Sequence, residues 1–392
     1  MKNLRQFIDK IKPQFQKGGK FEMFQSTFEA FETFLFVPDK VTSKGVHIRD
    51  SIDLKRTMTI VIIALMPCLL FGMWNTGYFH FLSEGKIYDK DFFILDAFWY
   101  GFLKVIPIII VSYITGLTIE FLFAQIRGHE VNEGFLVTGF LIPLIMPVTI
   151  PLWIVAVATA FAVIFGKEVF GGTGMNVFNP ALLARVFIFF AYPSKITGDQ
   201  IWVASNNPID TFSGATPLGN AMLNMFNKIP SNHDLFIGII PGSIGETSKI
   251  SILVGAFILL ITGIASWRVM FTVFAGGITM SLIFNLIGAN EYMKISPLTQ
   301  ILMGGFMFGA VFMATDPVTA AQTNKGKYIY GFLIGMFAIM IRVFNPAYPE
   351  GMMLSILLMN MFAPLIDHFI IEANIKKRLK RAKKVILTNQ NN

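Results

Sequence analysis

The chain has 392 residues, of which 54% are hydrophobic and only 14% charged, with a formal net charge of +8 at pH 7 and a mean hydropathy of +0.60. Soluble domains carry about 25% charged residues, so the composition excludes a soluble globular protein and defines an all-α integral membrane protein. The basic excess flanks apolar runs, which makes membrane lipid the surrounding partner and leaves no basic patch for nucleic acid.

Residues 1–56 are polar, hold eleven Lys/Arg against seven Asp/Glu, and show no cleavable signal peptide. Ten apolar runs suited to a hydrocarbon layer about 30 Å thick follow, at 57–74, 102–123, 134–149, 152–166, 178–192, 250–266, 269–288, 299–314, 328–344 and 352–371. The third, fourth and fifth are short or interrupted. The runs divide the chain into an N-terminal segment (1–56), a first membrane repeat (57–192), a long loop (193–249), a second repeat (250–371) and a basic tail (372–392). Lys and Arg at the front, in the turns near 127, 167, 268, 325 and 327, and between Lys376 and Lys384 all fall on one side. By the positive-inside rule that side, with both termini, is cytoplasmic, and the 193–249 loop is extracytoplasmic.

The sequence repeats itself. "VFNPA" occurs at Val177–Ala181 and at Val343–Ala347, ahead of the fifth and tenth runs. Upstream of each copy a Gly-Phe start leads to Pro-Val-Thr, from Gly134-Phe135 to Pro147-Val148-Thr149 and from Gly305-Phe306 to Pro317-Val318-Thr319. Two ordered matches predict a duplication of five spans plus five. Five is odd, so the halves are inverted, an arrangement that builds a ligand site where Gly/Pro-interrupted helices meet. The halves are not equivalent, because Asp316 stands where the first half has an apolar Met.

Ionisable residues lie within or at the ends of the spans: Glu120, Glu133, Glu168, Arg185, Asp316 and Asp367. A carboxylate there marks an ion path or is an interfacial charge that reaches water. For Glu168, beside Lys167, the interfacial reading is preferred; for Asp316, before helix-breaking Pro317, both readings stand. Sodium, a hard cation, needs oxygen ligands of this kind. Cys68 is the only cysteine, which excludes an intramolecular disulfide and a cysteine-ligated zinc or iron–sulfur centre built by this chain alone. No two of the five histidines form an i, i+4 pair.

The long loop contains "DTFSGATPLG" at Asp210–Gly219, where Gly214 and Ala215 leave Thr216 with little neighbouring bulk and Pro217 fixes the chain after it. "SGAT" after an Asp resembles the attachment signal for covalent FMN. With "DSIDLKR" (50–56), "HEVNEGF" (129–135), "GKEVFGGTG" (166–174), "PGSIGE" (241–246), "GIASWR" (263–268), "FMATDPV" (312–318), "RVFNPAYPEGMML" (342–354) and "FAPLIDH" (362–368), nearly the whole chain resembles the B-subunit family of sodium-pumping NADH:quinone oxidoreductases. The segment from about 14 to 38 resembles that family's amphipathic cytoplasmic extension, with Phe21, Met23, Phe24, Phe28, Phe31, Phe34 and Leu35 near helical spacing. Two alternatives remain: the similar D subunit of the Rnf complex, and a channel or transporter of this fold without redox chemistry.

The resemblance implies a bacterial inner-membrane component of a six-subunit enzyme that passes electrons from NADH, through partner subunits, to ubiquinone while exporting sodium. It implies covalent FMN on Thr216, placed by a flavin transferase that reads Asp210, Ser213 and Gly214. It further implies riboflavin near Asn176 and Asn179, residues that by themselves read equally well as caps of the fifth span. Quinone contacts are implied at Gly116, Glu133, Gly134 and Phe135, and sodium contacts at Glu22, Glu120, Asp316 and Asp367. The family's second glycine beside Gly116 is Leu117 here. No residue of the chain is implied as catalytic in its own right.

Overall fold

Backbone N–H and C=O groups in hydrocarbon must be satisfied within their own segment, so apolar runs of this length become helices. The computed structural model describes residues 54–86, 94–127, 134–199, 201–204, 213–345 and 350–390, together with 2–15 and scattered positions between 18 and 46. Among the described residues the regular elements are all helical. An N-terminal helix, α1 (Lys2–Phe15), precedes the first half, which comprises α2 (Leu54–Ser83), α3 (Ile94–Arg127), α4 (Gly134–Leu144), α5 (Leu152–Gly166) and α6 (Pro180–Ala191). Two short helices, α7 (Pro217–Met222) and α8 (Asn232–Ile237), occupy the long loop. The second half comprises α9 (Lys249–Ile261), α10 (Trp267–Ile287), α11 (Pro297–Leu302), α12 (Phe306–Phe308) with a π-helical continuation (Gly309–Met313), α13 (Asn324–Phe344) and α14 (Met352–Gln390).

Among the described residues, six helical stretches are long and apolar enough to cross a membrane: Leu54–Ser83, Ile94–Arg127, Leu152–Phe170, Trp267–Ile287, Asn324–Phe344 and Met352–Lys383. Helices α4, α6 and α9 are shorter apolar helices. The eighth predicted run is divided, because the chain turns at Met303–Gly305 with Gly304 at φ +60°. Helices α2 and α3 overrun their predicted bounds, and α14 continues through Lys- and Arg-rich sequence beyond 371 because Ala, Leu, Lys and Arg are strong helix formers. At the front, Phe15 stacks on Phe21 and Phe28 with ring centroids 5.5 and 4.6 Å apart. Glu32 is buried there between Arg5 (3.2 Å) and Lys12 (2.9 Å).

The inverted repeat is visible in the packing. In each half the second helix receives the phenylalanine of the Gly-Phe start: a Cβ built on Gly116 of α3 would lie 1.8 Å from Phe135 Cζ, and one on Gly277 of α10 would lie 2.6 Å from Phe306 Cζ. In each half the second helix also packs on the fourth, and the fourth on the fifth. Helices α2 and α9, the first of each half, pack on one another and join the halves. Each half breaks after Gly-Phe: the first at Ile145–Pro151, the second at Ala314–Thr323. Helix α6 begins beside the second break and ends toward the long loop, while α13 begins beside Asp367 and ends with Arg342 against Gln300 and Met303. The first VFNPA copy and the described part of the second, Val343–Asn345, therefore sit at opposite ends of the bundle.

With lipid outside, helices gain little from burying apolar side chains against each other, and close backbone approach at small residues takes over. Helices α10 and α13 meet through Gly276, Gly331 and Gly335, where added Cβ atoms would come within 2.0, 2.2 and 2.0 Å of Phe332 O, Thr272 Oγ1 and Val273 O. Helices α2 and α3 meet through Gly77 and Gly101, against Ala97 O at 1.8 Å and Met73 O at 1.7 Å. Gly335→Leu is expected to force α10 from α13 and to destabilise the protein by about 1–3 kcal/mol, the usual cost of overpacking. Thermal unfolding in detergent checks this, with Leu286→Ala on an exposed face of α10 as a control expected to change little.

Candidate functional site

The two breaks create two polar regions, separated by the length of α6, about 18 Å for its twelve residues. At the end where α6 finishes, the long loop folds over a cavity of about 830 Å³, within the range of small-molecule sites. Thr216 stands on its wall with Phe189, Phe190, Trp202, Leu218 and Met222. The threonine is the N-cap of α7: its Oγ1 accepts from Gly219 N at 3.1 Å, and Pro217 occupies the first helical position. The structure gives Gly214 a further reason: it is buried, and a Cβ there would lie 2.5 Å from Asp199 O. Ser213 is exposed, and Asp210 lies outside the described residues.

The floor of this cavity is ionic. Arg185 Nη1 donates to Ile145 O (2.6 Å), Ser243 Oγ (3.1 Å) and Glu246 Oε1 (3.0 Å), and its Nη2 lies 3.8 Å from Glu350 Oε2. Glu350 Oε1 accepts from Gly305 N at 2.7 Å. Buried Lys249 donates to Glu246 O and Gly304 O at 2.7 and 3.0 Å. Buried Arg342 donates to Glu350 O (3.0 Å), Gln300 O (2.5 Å) and Met303 O (3.1 Å). Of these residues the sequence reading singled out only Arg185. Glu246 and Glu350 each sit in a motif with adjacent glycine, PGSIGE and PEG, which is the signal that points to them.

At the other end Asn179 caps α6, accepting from Ala181 N (3.0 Å) and Leu182 N (3.3 Å), and its Nδ2 donates to Asp316 Oδ2 at 3.3 Å. Asp316 also accepts from Val318 N and Thr319 Oγ1, both at 3.1 Å. The capping reading of Asn179 holds, and the same side chain also reaches Asp316 of the opposite half. Asn176 Nδ2 donates to Phe178 O at 3.1 Å. A cavity of about 120 Å³ lies among Gly134, Lys167, Asn176, Asn179 and Asp316, below the size usual for a ligand of flavin dimensions. A wider opening of about 610 Å³, lined by Asn176, Val318, Thr323, Asn360, Asp367 and His368, adjoins it. Asp367 accepts from Gln322 N (2.6 Å), Thr323 N (3.0 Å) and Thr323 Oγ1 (2.5 Å), tying α14 to the start of α13.

Glu120 is buried on α3 and takes a hydrogen-bonded ion pair from Lys167. Lys167 and Glu168 do not form the exposed interfacial pair expected from sequence: both are buried, and Arg127 Nη1 donates to Glu168 O at 2.7 Å while lying 3.8 Å from its carboxylate. Gly116, one turn before Glu120, is filled by Phe135. That ring is wholly buried and meets Tyr113 edge-on at 6.2 Å, so it packs α4 on α3 rather than opening toward a cavity. Gly134 abuts Thr173, with 2.6 Å from its built Cβ to Thr173 Cγ2. Glu22 and Glu133 lie outside the described residues.

An inverted pair of broken-helix units, with a loop-covered cavity at one end and a carboxylate–amide bridge at the other, defines a multi-pass helical membrane protein. Residues 41–376 match the NQR2, RnfD, RnfE family, and the chain belongs to that family. It is 48% identical over 403 residues to the Na(+)-translocating NADH-quinone reductase B subunit of Ectopseudomonas mendocina, covering 96% of this chain and 99% of that one. The proteins of the same name from Stutzerimonas stutzeri and Azotobacter vinelandii are 47% identical over 407 residues and 46% over 403, each with 96% of this chain and 99% of the relative covered.

Asp367 has a structural duty that can be measured. Asp367→Ala strands two backbone N–H groups and one hydroxyl at the start of α13 and is expected to lower stability by about 1–3 kcal/mol. Asp367→Asn, which keeps an acceptor oxygen, is expected to lose less; the two thermal unfolding midpoints, measured side by side, check the order.

Proposed function

We propose that this chain is the B subunit of a sodium-translocating NADH:quinone oxidoreductase, seated in the bacterial inner membrane with both termini cytoplasmic, and that it carries FMN esterified to Thr216. The observation that carries the flavin reading is the placement of Thr216 on the wall of the 830 Å³ cavity. Thr216 Oγ1 would carry the phosphate, and the aromatic and aliphatic wall would exclude water from a planar ring. Flavin supplies a carrier that accepts electrons one or two at a time. The chain's part is to fix that carrier by one bond, shield it and set its electrostatics. Partner subunits supply the NADH oxidation that this chain has no evident means to perform, and a flavin transferase makes the threonine ester. The names of the full-length relatives favour the quinone reductase reading over the Rnf one.

Riboflavin, in the same proposal, sits in the 610 Å³ opening against Asn176, because the cavity touching Asn179 is too small for a flavin. Ubiquinone is assigned to the start of α4, near Glu133 and Gly134, with Phe135 and Gly116 shaping the wall from within. Sodium, the cargo, is assigned to the Asp316 end, where a carboxylate in a broken helix faces an amide from the opposite half, with Glu120, Asp367 and Glu22 as further acidic positions.

Thr216→Val keeps size and β-branching but removes the hydroxyl, and is expected to abolish the ultraviolet fluorescence of this chain in a denaturing gel. A band that still fluoresces places the covalent flavin elsewhere. Asp316→Asn keeps shape and one carbonyl oxygen but removes the charge that compensates an ion for lost water. It is expected to weaken sodium binding by about 1–3 kcal/mol. This is read as a raised half-saturating sodium concentration for quinone reduction at unchanged flavin content; wild-type sodium dependence removes Asp316 from the ion path.

A further inference from the structure

We propose that Arg185 positions the ring of the Thr216-linked flavin and that its balance against Glu246 and Glu350 sets the flavin's reduction potential. The inference rests on the attachment reading above and adds to it a residue on the opposite wall, outside the attachment motif.

Three observations support it. First, Thr216, Arg185, Glu246 and Glu350 line one and the same cavity, so a ring tethered at the threonine and directed inward ends against the ionic floor. Second, the floor is asymmetric in charge: Arg185, Lys249 and Arg342 against Glu246 and Glu350, three cations to two carboxylates. Lys249 and Arg342 point their donors at backbone carbonyls, whereas Arg185 is the cation that lines the cavity. The remaining carboxylate on the cavity wall, Asp199, is exposed at the mouth. Third, the backbone is shaped around the carboxylates. A Cβ on Gly305 would lie 2.5 Å from Glu246 Oε1 and 2.8 Å from Glu350 Oε1, so the two glutamates hold their places only because glycine stands there.

A flavin that takes up one electron without a proton gains one negative charge, borne largely by the N1–C2=O edge of the ring. In a site of low dielectric that charge interacts strongly with any fixed charge nearby. Arg185 favours the reduced ring and the two glutamates oppose it. Removing a glutamate leaves the arginine less compensated and makes the flavin easier to reduce.

Glu350→Gln tests this, because the amide oxygen still accepts from Gly305 N while the charge is lost. The whole complex is titrated anaerobically with dithionite, and the wild-type spectrum minus that of Thr216→Val isolates the flavin of this site. Glu350→Gln is expected to shift its one-electron equilibrium at least tenfold toward the reduced form, which is 59 mV upward. Arg185→Lys, which keeps the charge, is expected to shift it less. A second readout does not depend on altering charge: Trp202→Phe removes an indole from the cavity wall and is expected to lengthen the fluorescence lifetime of the oxidised flavin in the folded protein. An attached flavin with wild-type potential in Glu350→Gln and wild-type lifetime in Trp202→Phe overturns the role of Arg185 and leaves the attachment standing. Absence of Thr216-dependent fluorescence in the wild type overturns both.

Discussion

A helix that stops inside a membrane must hand its terminal N–H and C=O groups to something other than water. This chain stops two helices that way, and among the described residues a group of its buried polar side chains is accounted for by the consequences. At the first break, the carbonyls of Leu144, Ile145 and Met146 are taken by Gly245 N (2.7 Å), Arg185 Nη1 (2.6 Å) and Ile244 N (3.3 Å). Around the second half, Glu350 receives Gly305 N, Lys249 donates to Gly304 O, Asp316 receives Val318 N, and Asp367 receives the N–H groups of Gln322 and Thr323. Charged side chains that are costly in hydrocarbon are thereby held by backbone groups that are equally costly when left alone.

The duplication supplies two breaks, and the chain has made them chemically different. The first break has buried Met146 where the second has Asp316, and it is satisfied from outside by a cation and by loop backbone. The second is satisfied by carboxylates, with Asp316 accepting from its own turn and from Asn179 of the other half and Asp367 of α14 accepting from Gln322 N and Thr323 N. A net-cationic floor suits an electron-rich ring, and a carboxylate in an unwound segment suits a hard cation. The inverted repeat thus places an environment for negative charge at one end and an environment for positive charge at the other, with α6 running between them.

Much of this is legible in the sequence because it is written in local or periodic signals. Apolar runs give the helices, the paired Gly-Phe, Pro-Val-Thr and VFNPA strings give the inverted halves, and small residues flag the Thr216 turn. The buried ion pairs are not legible in the same way. Glu120 and Lys167 are 47 residues apart and Arg185 and Glu246 are 61 apart, with no helical i, i+4 spacing to announce them. Glu168 misleads for this reason: beside a lysine at the end of an apolar run it reads as a surface charge, and only the fold brings Arg127 to it. Helix ends are misjudged where good helix formers carry α14 past the apolar boundary. The division of the eighth run follows from Gly304, whose positive φ is a backbone fact that residue type permits but does not dictate.

Thr216 stands at the head of a short capped helix, which bears on how the cofactor proposed for it would be kept. An isolated loop would let a tethered group sweep a wide volume, and the ordering entropy would have to be recovered from contacts with the group itself. Here Pro217 and the Thr216 cap fix the chain at Thr216, and Gly214, two residues earlier, packs its own backbone close to Asp199 O. The backbone at Thr216 is thus fixed by its own cap and proline. For the flavin proposed at Thr216, the cavity wall would then have only to orient the ring, which fits a wall that is mostly apolar with its charge confined to the floor. An ionic floor held by backbone carbonyls, with Gly304 and Gly305 admitting the carboxylates, would let a fixed field act on the proposed ring without reorganising when its charge changes.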